Sequence, residues 1–323
     1  MSLRSWGFAL LLCAASAVHA QGWKPTRSVE LSAASAAGGG SDNLARLVQK
    51  LLHEHKLVES PITVMNRPTS GGVVAWTALN QNPMDGHHLS VSTANLLTNH
   101  ITGRTTLHYT DVTSVAQLFS EAVAVAVRAD SPIKNGRELA ALLKADASAM
   151  SAAIGTSLGN PGHITCALIT RAAGGDPKKL KAVVFQSVSQ GVSALLGGHV
   201  DMISTPASNL AAHHFAGRLR IIGLSAPRRY SGAFAAIPTW TELGLPVVVD
   251  NLRGVIGPKS LTMAQVAFWE GALSRMVRTA EWKAHLDKNQ WSDSFAGAEA
   301  SARTLAEQHD EMRAGLALLG MGK

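Results

Sequence analysis

The segment from Ser28 to Leu52 constrains the fold most, because it reads as a strand, a glycine loop and a helix in direct succession. Apolar residues recur at helical spacing after the loop, which predicts a helix with one buried face. Ser41 or Asp42 is expected to cap its first turn. Glycines 38–40 would let a ligand approach the backbone, and the free N–H groups and dipole of the first helical turn favour an anion. The alternative is a well-capped loop that binds nothing.

This glycine loop does not match the common nucleotide-binding motifs. No Gly-Lys-Ser/Thr follows it, as a P-loop requires. Asn43 stands where the last glycine of a dinucleotide-binding G-x-G-x-x-G would lie. The glycine loop therefore does not indicate a nucleotide as the ligand.

A second unit of the same design begins at Ser151. A strand-like run to Ile154 leads into a loop of small and hydroxylated residues, and a helix is predicted from about Ile164 to Ala173. Ligands of open α/β sheets bind beyond the C-terminal ends of the strands. The two units therefore predict a cleft that holds its ligand from both sides. The alternation of strands and helices along the chain predicts an α/β fold with a largely parallel sheet.

The N-terminus has the pattern of a secretory signal peptide over residues 1–20. Arg4 precedes an apolar run, and Ala20 ends a small-x-small cleavage pattern. The apolar run is too short to span a bilayer permanently. Its removal would leave Cys166 as the only cysteine, so no intrachain disulfide is expected even after export.

Size and charge narrow the organisation further. About 300 mature residues can bury a sufficient core in two domains. We expect a discontinuous first domain, residues 25–125 plus 249–323, with a second domain, residues 126–248, inserted into it. The formal charge of +7 is scattered along the chain, with no Lys/Arg run. A nucleic-acid partner is therefore not indicated.

An enzyme must still be considered, because Gly155-Thr156-Ser157-Leu158-Gly159 fits the G-x-S-x-G nucleophile elbow between a strand and a helix. Asp201 with His213, or Asp250 with His285, would supply an acid and a base in the required order. Such combinations are common by chance, and the same loop also fits an anion seat. An exported serine hydrolase that uses Ser157 therefore stays an alternative.

The histidines do not indicate a metal site. Three pairs of histidines lie close in sequence, and their spacings of one or two residues do not place two rings on one helical face: His53/His55, His87/His88 and His213/His214. No H-E-x-x-H motif or cysteine pair occurs. His163 differs because it lies at a predicted helix start. The helix dipole disfavours its protonation there, so it would act as a neutral donor or as a packing residue.

Several motifs in order resemble one family. Gly38 to Arg46 (GGGSDNLAR) resembles a PGGxxD-xx-AR opening, and Asn66-Arg67-Pro68 with Gly71-Gly72 resembles N-R-P-G-x-G-G. Gly155 to His163 is similar to a second ligand loop, G-[ST]-x-G-x-x-x-H. Further matches follow in the family's order at residues 83–86, 195–201, 217–220 and 237–244. The chain resembles the solute receptors of tripartite tricarboxylate transporters, the Bug-type extracytoplasmic binding proteins.

This resemblance implies a two-lobed periplasmic-binding-protein fold of type II, a Venus flytrap with a mixed sheet in each lobe and a double-crossing hinge. It implies a periplasmic receptor without enzymatic activity, which binds a mono- or dicarboxylate and delivers it to membrane transporter subunits. A monomer without cofactor or metal ion is expected. The ligand residues carried over are Gly39, Gly40, Ser41 and Asp42 from the first loop, and Thr156, Ser157 and His163 from the second. Strand ends that face the cleft add Thr93, Asn95 and Thr205.

Three departures from the family pattern leave the ligand open. Ala36-Ala37 stands where the family has prolines, Thr69 where it has glycine, and Arg253 lies in the segment where it has W-x-G-x-x-x-P, without the tryptophan. A receptor recruited to carboxylate sensing rather than transport is the remaining alternative.

Overall fold

The computed structural model describes residues 22–322. The signal-peptide prediction, residues 1–20, lies outside these residues. The strands are β1 (Val29–Ala33), β2 (Ile62–Asn66), β3 (His88–Thr93), β4 (Thr113–Arg128), β5 (Ser151–Gly155), β6 (Lys181–Phe185), β7 (Met202–Pro206), β8 (Leu219–Ser225), β9 (Asp250–Gly257) and β10 (Ser292–Gly297).

Helices alternate with these strands, as the sequence pattern predicts. None of the helices between residues 22 and 322 is long and apolar enough to cross a membrane. The helices are α1 (Gly40–Glu54), α2 (Val73–Leu79), α3 (Asn95–Ile101), α4 (Gly136–Ala145), α5 (Pro161–Ala173), α6 (Val188–Leu196), α7 (Ala211–Phe215), α8 (Met263–Met276), α9 (Ala280–Asn289) and α10 (Ala298–Leu318).

The strands form two mixed sheets that share β4. In the first lobe β1 lies parallel to β2 and β3, and β9 joins β3 to the first part of β4 in antiparallel register, with β10 also on β4. In the second lobe β5 lies parallel to β6 and β7, while β7 and β8 pair with the rest of β4. The fold is therefore the two-lobed, mixed-sheet fold that the family resemblance implies. The largely parallel sheet predicted from the strand and helix pattern was wrong, because every pairing of β4 and β9 is antiparallel.

Strand β4 changes partners between two adjacent residues. Ala122 pairs with Asp250 of the first sheet, and Val123 pairs with Pro206 and Ser225 of the second. The chain returns to the first lobe between β8 and β9, so it crosses between the lobes twice.

The directions of the strands place both glycine loops on the same side of the molecule. Because β3 is antiparallel to β9, and β9 to β4, the C-terminal ends of β3 and its parallel neighbour β1 point toward the crossing. In the second lobe β7 is antiparallel to β4 and parallel to β5, so their C-terminal ends point back toward the same crossing. The loops that follow β1, β3, β5 and β7 therefore converge there.

Apolar side chains on both faces of each sheet hold the lobes together. The stripe of α1 (Leu44, Leu47, Val48, Leu51 and Leu52) packs with α8 and α9 on one face of the first sheet. Trp269 and Trp282 are fully buried in that cluster, and Trp291 stacks on Phe119. The helix α10 contacts both α3 of the first lobe and α5 of the second.

Several local predictions were wrong. The N-terminal half of β4 and all of β10 were not predicted, and α5 begins at Pro161 rather than near Ile164. The pattern of Thr239 to Leu243 predicts a short helix and the valine run 247–249 predicts a strand, but the first segment is a turn and the second is unpaired. Trp240 and Val249 are buried in the core without a regular element around them, whereas Glu242 and Val248 are exposed.

Candidate functional site

The N-terminus of α1 follows β1 at the end of the strand that points toward the crossing. Gly39 is its N-cap, with extended φ −76° and ψ 165°. The side chain that caps the first turn is Ser35, whose Oγ accepts the N–H of Asp42 (3.1 Å), so the predicted cap by Ser41 or Asp42 was wrong. The N–H groups of Gly40 and Ser41 have no hydrogen-bond acceptor within residues 22–322. A methyl group added at Gly40 would meet nothing within 4 Å. Two free donors therefore face open space.

The carboxylate of Asp42 holds this loop in place. It is 2% exposed and accepts bonds from Gly38 N–H (2.8 Å) and from Asn66 Nδ2 (2.8 Å). Arg46 Nε lies 2.9–3.0 Å from both of its oxygens. Burial raises the pKa of Asp42, but the bonds from Arg46, Gly38 and Asn66 outweigh it and lower the pKa overall. Its lone pairs are occupied inside the loop, so Asp42 is placed to position the glycines rather than to touch a ligand.

The end of β3 supplies the other polar group of the first lobe. Thr93 Oγ1 accepts a bond from the N–H of Asn95 (3.3 Å), the first residue of α3. The Asn95 amide would lie 3.2 Å from a methyl group added at Gly71. Thr93 and Asn95 are both half-buried, and they connect the loop that contains Gly71 and Gly72 to the strand ends of the first lobe.

The N-terminus of α5 is the corresponding element of the second lobe. Asn160 caps it, since its Oδ1 accepts the N–H of His163 (2.9 Å) while its Nδ2 donates to the carbonyl of Gly155. Pro161 follows at the first helical position, where a missing N–H costs nothing. Gly162 packs so closely against the carbonyl of Ser204 that a side chain has no room. The dipeptide Asn160-Pro161 is the sequence signal for this helix start, and it was overlooked when the start was predicted near Ile164.

His163 is buried and neutral. Its Nδ1 accepts the N–H of Gly159 (3.0 Å), which places the ring proton on Nε2. Burial, at 5% exposure, lowers the pKa of His163 to about 4. The Nε2 atom has no acceptor in the described chain and is not fully enclosed, so it is a free donor at physiological pH.

Thr156 and Ser157 form the loop between β5 and α5. Thr156 adopts φ +66°, and its N–H bonds to the carbonyl of Phe185 (2.8 Å). Ser157 is 7% exposed, yet its Oγ has no hydrogen-bond partner. A buried hydroxyl without a partner is costly, which makes Ser157 a natural contact for a ligand oxygen.

Thr205 lies at the end of β7 but is almost fully enclosed. It is 2% exposed, and Asn209 Nδ2 lies at the limit of hydrogen-bond distance, 3.5 Å from its Oγ1. Its position near the crossing agrees with the sequence prediction, whereas its burial leaves little of the side chain open to a ligand.

Sequence reasoning missed Glu121, which joins the lobes at the crossing. Its Oε1 accepts bonds from Asn251 Nδ2 (3.0 Å) and from Arg253 Nε (3.2 Å) and Nη2 (3.0 Å). Its Oε2 accepts the hydroxyl of Ser208 (2.8 Å), which follows β7 in the second lobe. The partners lie 87 to 132 residues away in sequence, so no local pattern indicates them.

Other features do not coincide with these loops. Within residues 22–322 no group of three or more His, Cys, Asp or Glu side chains is placed to hold a metal ion. One cavity of about 330 Å³ lies between α3 and α10, where His100, His309 and Arg313 contribute to its wall. A second, of about 440 Å³, is bordered by Arg128 and Arg218. Neither cavity is lined by the glycine loops at the N-termini of α1 and α5.

The two-lobed, mixed-sheet fold is shared with solved structures of a solute-binding protein and of a periplasmic transporter. Residues 44–317 match the sequence model of the tripartite tricarboxylate transporter family receptor, TctC. The chain therefore belongs to this family, as its motifs predict.

Relatives and solved structures agree with this assignment. A UPF0065 protein in the gbd 5′ region of Cupriavidus necator is 26% identical over 98% of this chain and 94% of its own length. A TctC solute-binding protein from Polaromonas is 24% identical, with a TM-score of 0.73 over 91% of this chain and 99% of that one. A Rhodopseudomonas palustris protein with adipate is 20% identical, with a TM-score of 0.82 over 92% and 99%. MatC of R. palustris with bound malate is 22% identical, with a TM-score of 0.77 over 90% and 99%.

Proposed function

We propose that this protein is a periplasmic receptor that captures a small organic carboxylate between its lobes and delivers it to a tripartite tricarboxylate-type membrane transporter. The lobes would be residues 25–125 with 249–323, and residues 126–248, which close over the ligand by hinge motion. The partner switch of β4 at Ala122 and Val123 supports these limits.

The observation that carries the proposal is the set of free donors on both sides of the crossing. The first lobe offers the N–H groups of Gly40 and Ser41 at the positive end of the α1 dipole. The second offers His163 Nε2, which is not fully enclosed, and the enclosed but unpartnered hydroxyl of Ser157. Neutral donors suit a carboxylate, and closure would strengthen these charge-assisted bonds by excluding water.

Two of the similar structures hold dicarboxylates, malate and adipate. Both neighbours are below 25% identical to this chain, so they support the fold rather than a particular ligand. They are consistent with a carboxylate ligand here, and the family match supports delivery to a membrane transporter. A sensing role would use the same cleft and differ only in the protein partner.

The hydrolase alternative finds no assembled triad. Ser157 Oγ has no histidine within hydrogen-bond distance among the described residues. Asp201, one candidate acid, instead bonds to Ser151 at the opposite end of β5 (2.7 Å). His163, the nearest histidine in sequence, directs its Nδ1 to the backbone of Gly159. A nucleophile without a base is not activated.

A thermal-shift screen of aliphatic, aromatic and amino-acid carboxylates tests the proposal. A ligand at 100 times its Kd should stabilise the protein by about 2.7 kcal/mol. We expect at least one small carboxylate to raise the melting temperature in a concentration-dependent way. If none does, while the protein is folded and free of bound ligand, the receptor proposal fails.

A further inference from the structure

The side chain of Arg253 lies on the same face of the first sheet as the α1 tip. In the antiparallel register of β3 and β9, Arg253 is directly opposite Thr93, and Val255 is opposite Val91. Side chains alternate between faces along a strand, so Arg253 shares a face with Val255, and Thr93 with Val91. Both valines pack in the core beneath α1. Arg253 and Thr93 therefore project on the α1 face, at the strand end next to the α1 N-terminus.

Glu121 fixes the guanidinium of Arg253 by one of its edges. Nε and Nη2 both donate to the single oxygen Oε1, at 3.2 and 3.0 Å. The other oxygen of Glu121 is bonded to Ser208 of the second lobe. The guanidinium is thereby held at the crossing between the two lobes, where the loops that follow β1, β3, β5 and β7 converge.

The opposite edge of the same guanidinium is free. A guanidinium has five N–H donors in a fixed fork, and Glu121 takes two of them. Nη1 has no acceptor within residues 22–322 and is not among the enclosed unpartnered atoms, and the side chain keeps 17% exposure. The Nη1 and Nη2 hydrogens that remain form an end-on fork, which matches a carboxylate in bidentate geometry.

We propose that Arg253 determines specificity by binding the second carboxylate of a dicarboxylate, the first of which is held by the two helix tips. This inference rests on the proposed function and names its substrate class. The Glu121–Arg253 pair is neutral as a whole, so the preference arises from directional N–H bonds rather than from excess positive charge. A monocarboxylate of the same length would leave this fork to water.

Calorimetric titration of matched acids tests the role of Arg253. The probes are straight-chain α,ω-dicarboxylates of three to six carbons, each compared with the monocarboxylate of the same chain length. A charge-assisted hydrogen bond contributes roughly 1.5–3 kcal/mol, so the best dicarboxylate should bind about 10- to 100-fold tighter than its monocarboxylate. Arg253→Gln should reduce the ratio of the monocarboxylate Kd to the dicarboxylate Kd to near 1. The change should come from weaker binding of the dicarboxylate, with the Kd of the monocarboxylate changed less than about threefold.

Matched controls separate this role from a general loss of charge or of folding. Arg229→Gln removes an arginine that pairs with Glu242 on the surface (3.0 Å), and it should leave the ratio unchanged. Arg253→Lys keeps the charge but loses the fork, so an intermediate ratio is expected. In the wild-type protein the side-chain NMR signals of Arg253 should shift with the dicarboxylate and stay fixed with the monocarboxylate, a readout that needs no variant.

The outcomes distinguish the two proposals. If carboxylates bind but the ratio is the same in wild type and Arg253→Gln, or if the Arg253 signals do not respond to the dicarboxylate, the role of Arg253 is overturned and the receptor function stands. If no carboxylate binds the wild-type protein, the receptor function is overturned, and this inference with it.

Discussion

The two helix tips at the crossing offer similar donors but are built in opposite ways. The tip of α1 has three successive glycines, no side-chain cap from its N-cap residue Gly39, and a buried carboxylate, Asp42, that ties the loop to Arg46 and Asn66. The tip of α5 has an asparagine cap and a buried neutral histidine, His163, that ties its loop to the backbone. One tip is held by charge and the other by neutral hydrogen bonds and close packing.

This difference indicates which atoms can change without loss of the fold. At Gly40 of the α1 tip the backbone faces open space, so a small side chain fits there but would occupy the position of a ligand, whereas Gly39 lies too close to Ser35 for one. At the α5 tip the backbone faces β7, so a side chain does not fit at all. An added side chain in the first loop should thus weaken ligand binding, whereas one in the second loop should lower the stability of the fold.

The largest effect should come from Gly162→Ala. The new methyl group would overlap the carbonyl of Ser204, a backbone atom that cannot move cheaply. We expect a loss of about 3 kcal/mol or more in the free energy of unfolding, measured by urea denaturation. Gly40→Ala, the matched change in the other tip, should alter stability by less than about 0.5 kcal/mol and weaken carboxylate binding. Equal stability losses in the two variants would remove the contrast between the tips.

Mild acid should affect the second tip before the first. The folded pKa of His163, about 4, lies below its ordinary value of 6.5, so the unfolded chain binds more protons in between. The stabilisation is complete above about pH 6.5 and is lost as the pH falls toward 4. Between pH 7 and 4.5, His163 should account for a loss of about 2.5 kcal/mol.

Denaturation of His163→Gln at both pH values measures this loss. The variant should be less sensitive to pH than the wild type by that amount. Asp42 has a lowered pKa, so its stabilisation is present above about pH 3.8 and is lost only as the pH falls through the folded value. Asp42→Asn should therefore keep the wild-type difference between pH 7 and 4.5. An unchanged pH dependence in His163→Gln would show that the burial of this ring is not coupled to folding.

Ser157→Ala should affect binding and not stability. Its hydroxyl has no partner in the unliganded protein, so its removal should cost nothing or stabilise slightly. A ligand oxygen would lose one hydrogen bond, which corresponds to roughly tenfold weaker binding. Titration with a carboxylate found in the thermal screen measures this change, with Ser193→Ala on the exposed face of α6 as control. Binding at wild-type affinity would place the ligand away from Ser157.

The smallest effect should come from Thr69, in the loop between β2 and α2. Thr69 adopts φ +154°, in a region that favours glycine, at the position where the family has glycine. Thr69→Gly should therefore stabilise the protein by about 1 kcal/mol, measured by thermal denaturation. Thr63→Gly, in the regular strand β2, should destabilise it by a similar amount. Destabilisation by both changes would mean that the backbone at Thr69 is not strained.

Local patterns account for the parts of the fold that were predicted. The apolar stripe of α1 and the glycine loop after β1 depend only on residues that are close in sequence, and both lie where they were predicted. The half of β4 before Ala122 was missed because it carries polar residues whose partners are distant. Gln117, for example, bonds to Ser294 (2.8 Å), and neither residue suggests a strand by itself. Long-range pairing overrides local propensity in such segments.

The same limit applies to the site. The donors of Gly40 and Ser41 follow from a helix start that the sequence shows. The role of Asp42 could not be predicted, because capping and loop-bracing residues look the same until Arg46 and Asn66 are placed around the carboxylate. Arg253 was noticed only as a departure from the family, and its partner Glu121 lies 132 residues away.

The most direct measurement is an amide NMR titration with a carboxylate that stabilises the protein. We expect the N–H signals of Gly40 and Ser41 in the first lobe, and of Ser157 in the second, to shift with one common Kd. Gly217, in an open turn away from the crossing, should not respond. Shifts confined to one lobe, or absent from all three amides while the ligand binds, would contradict the claim that both tips hold the same anion.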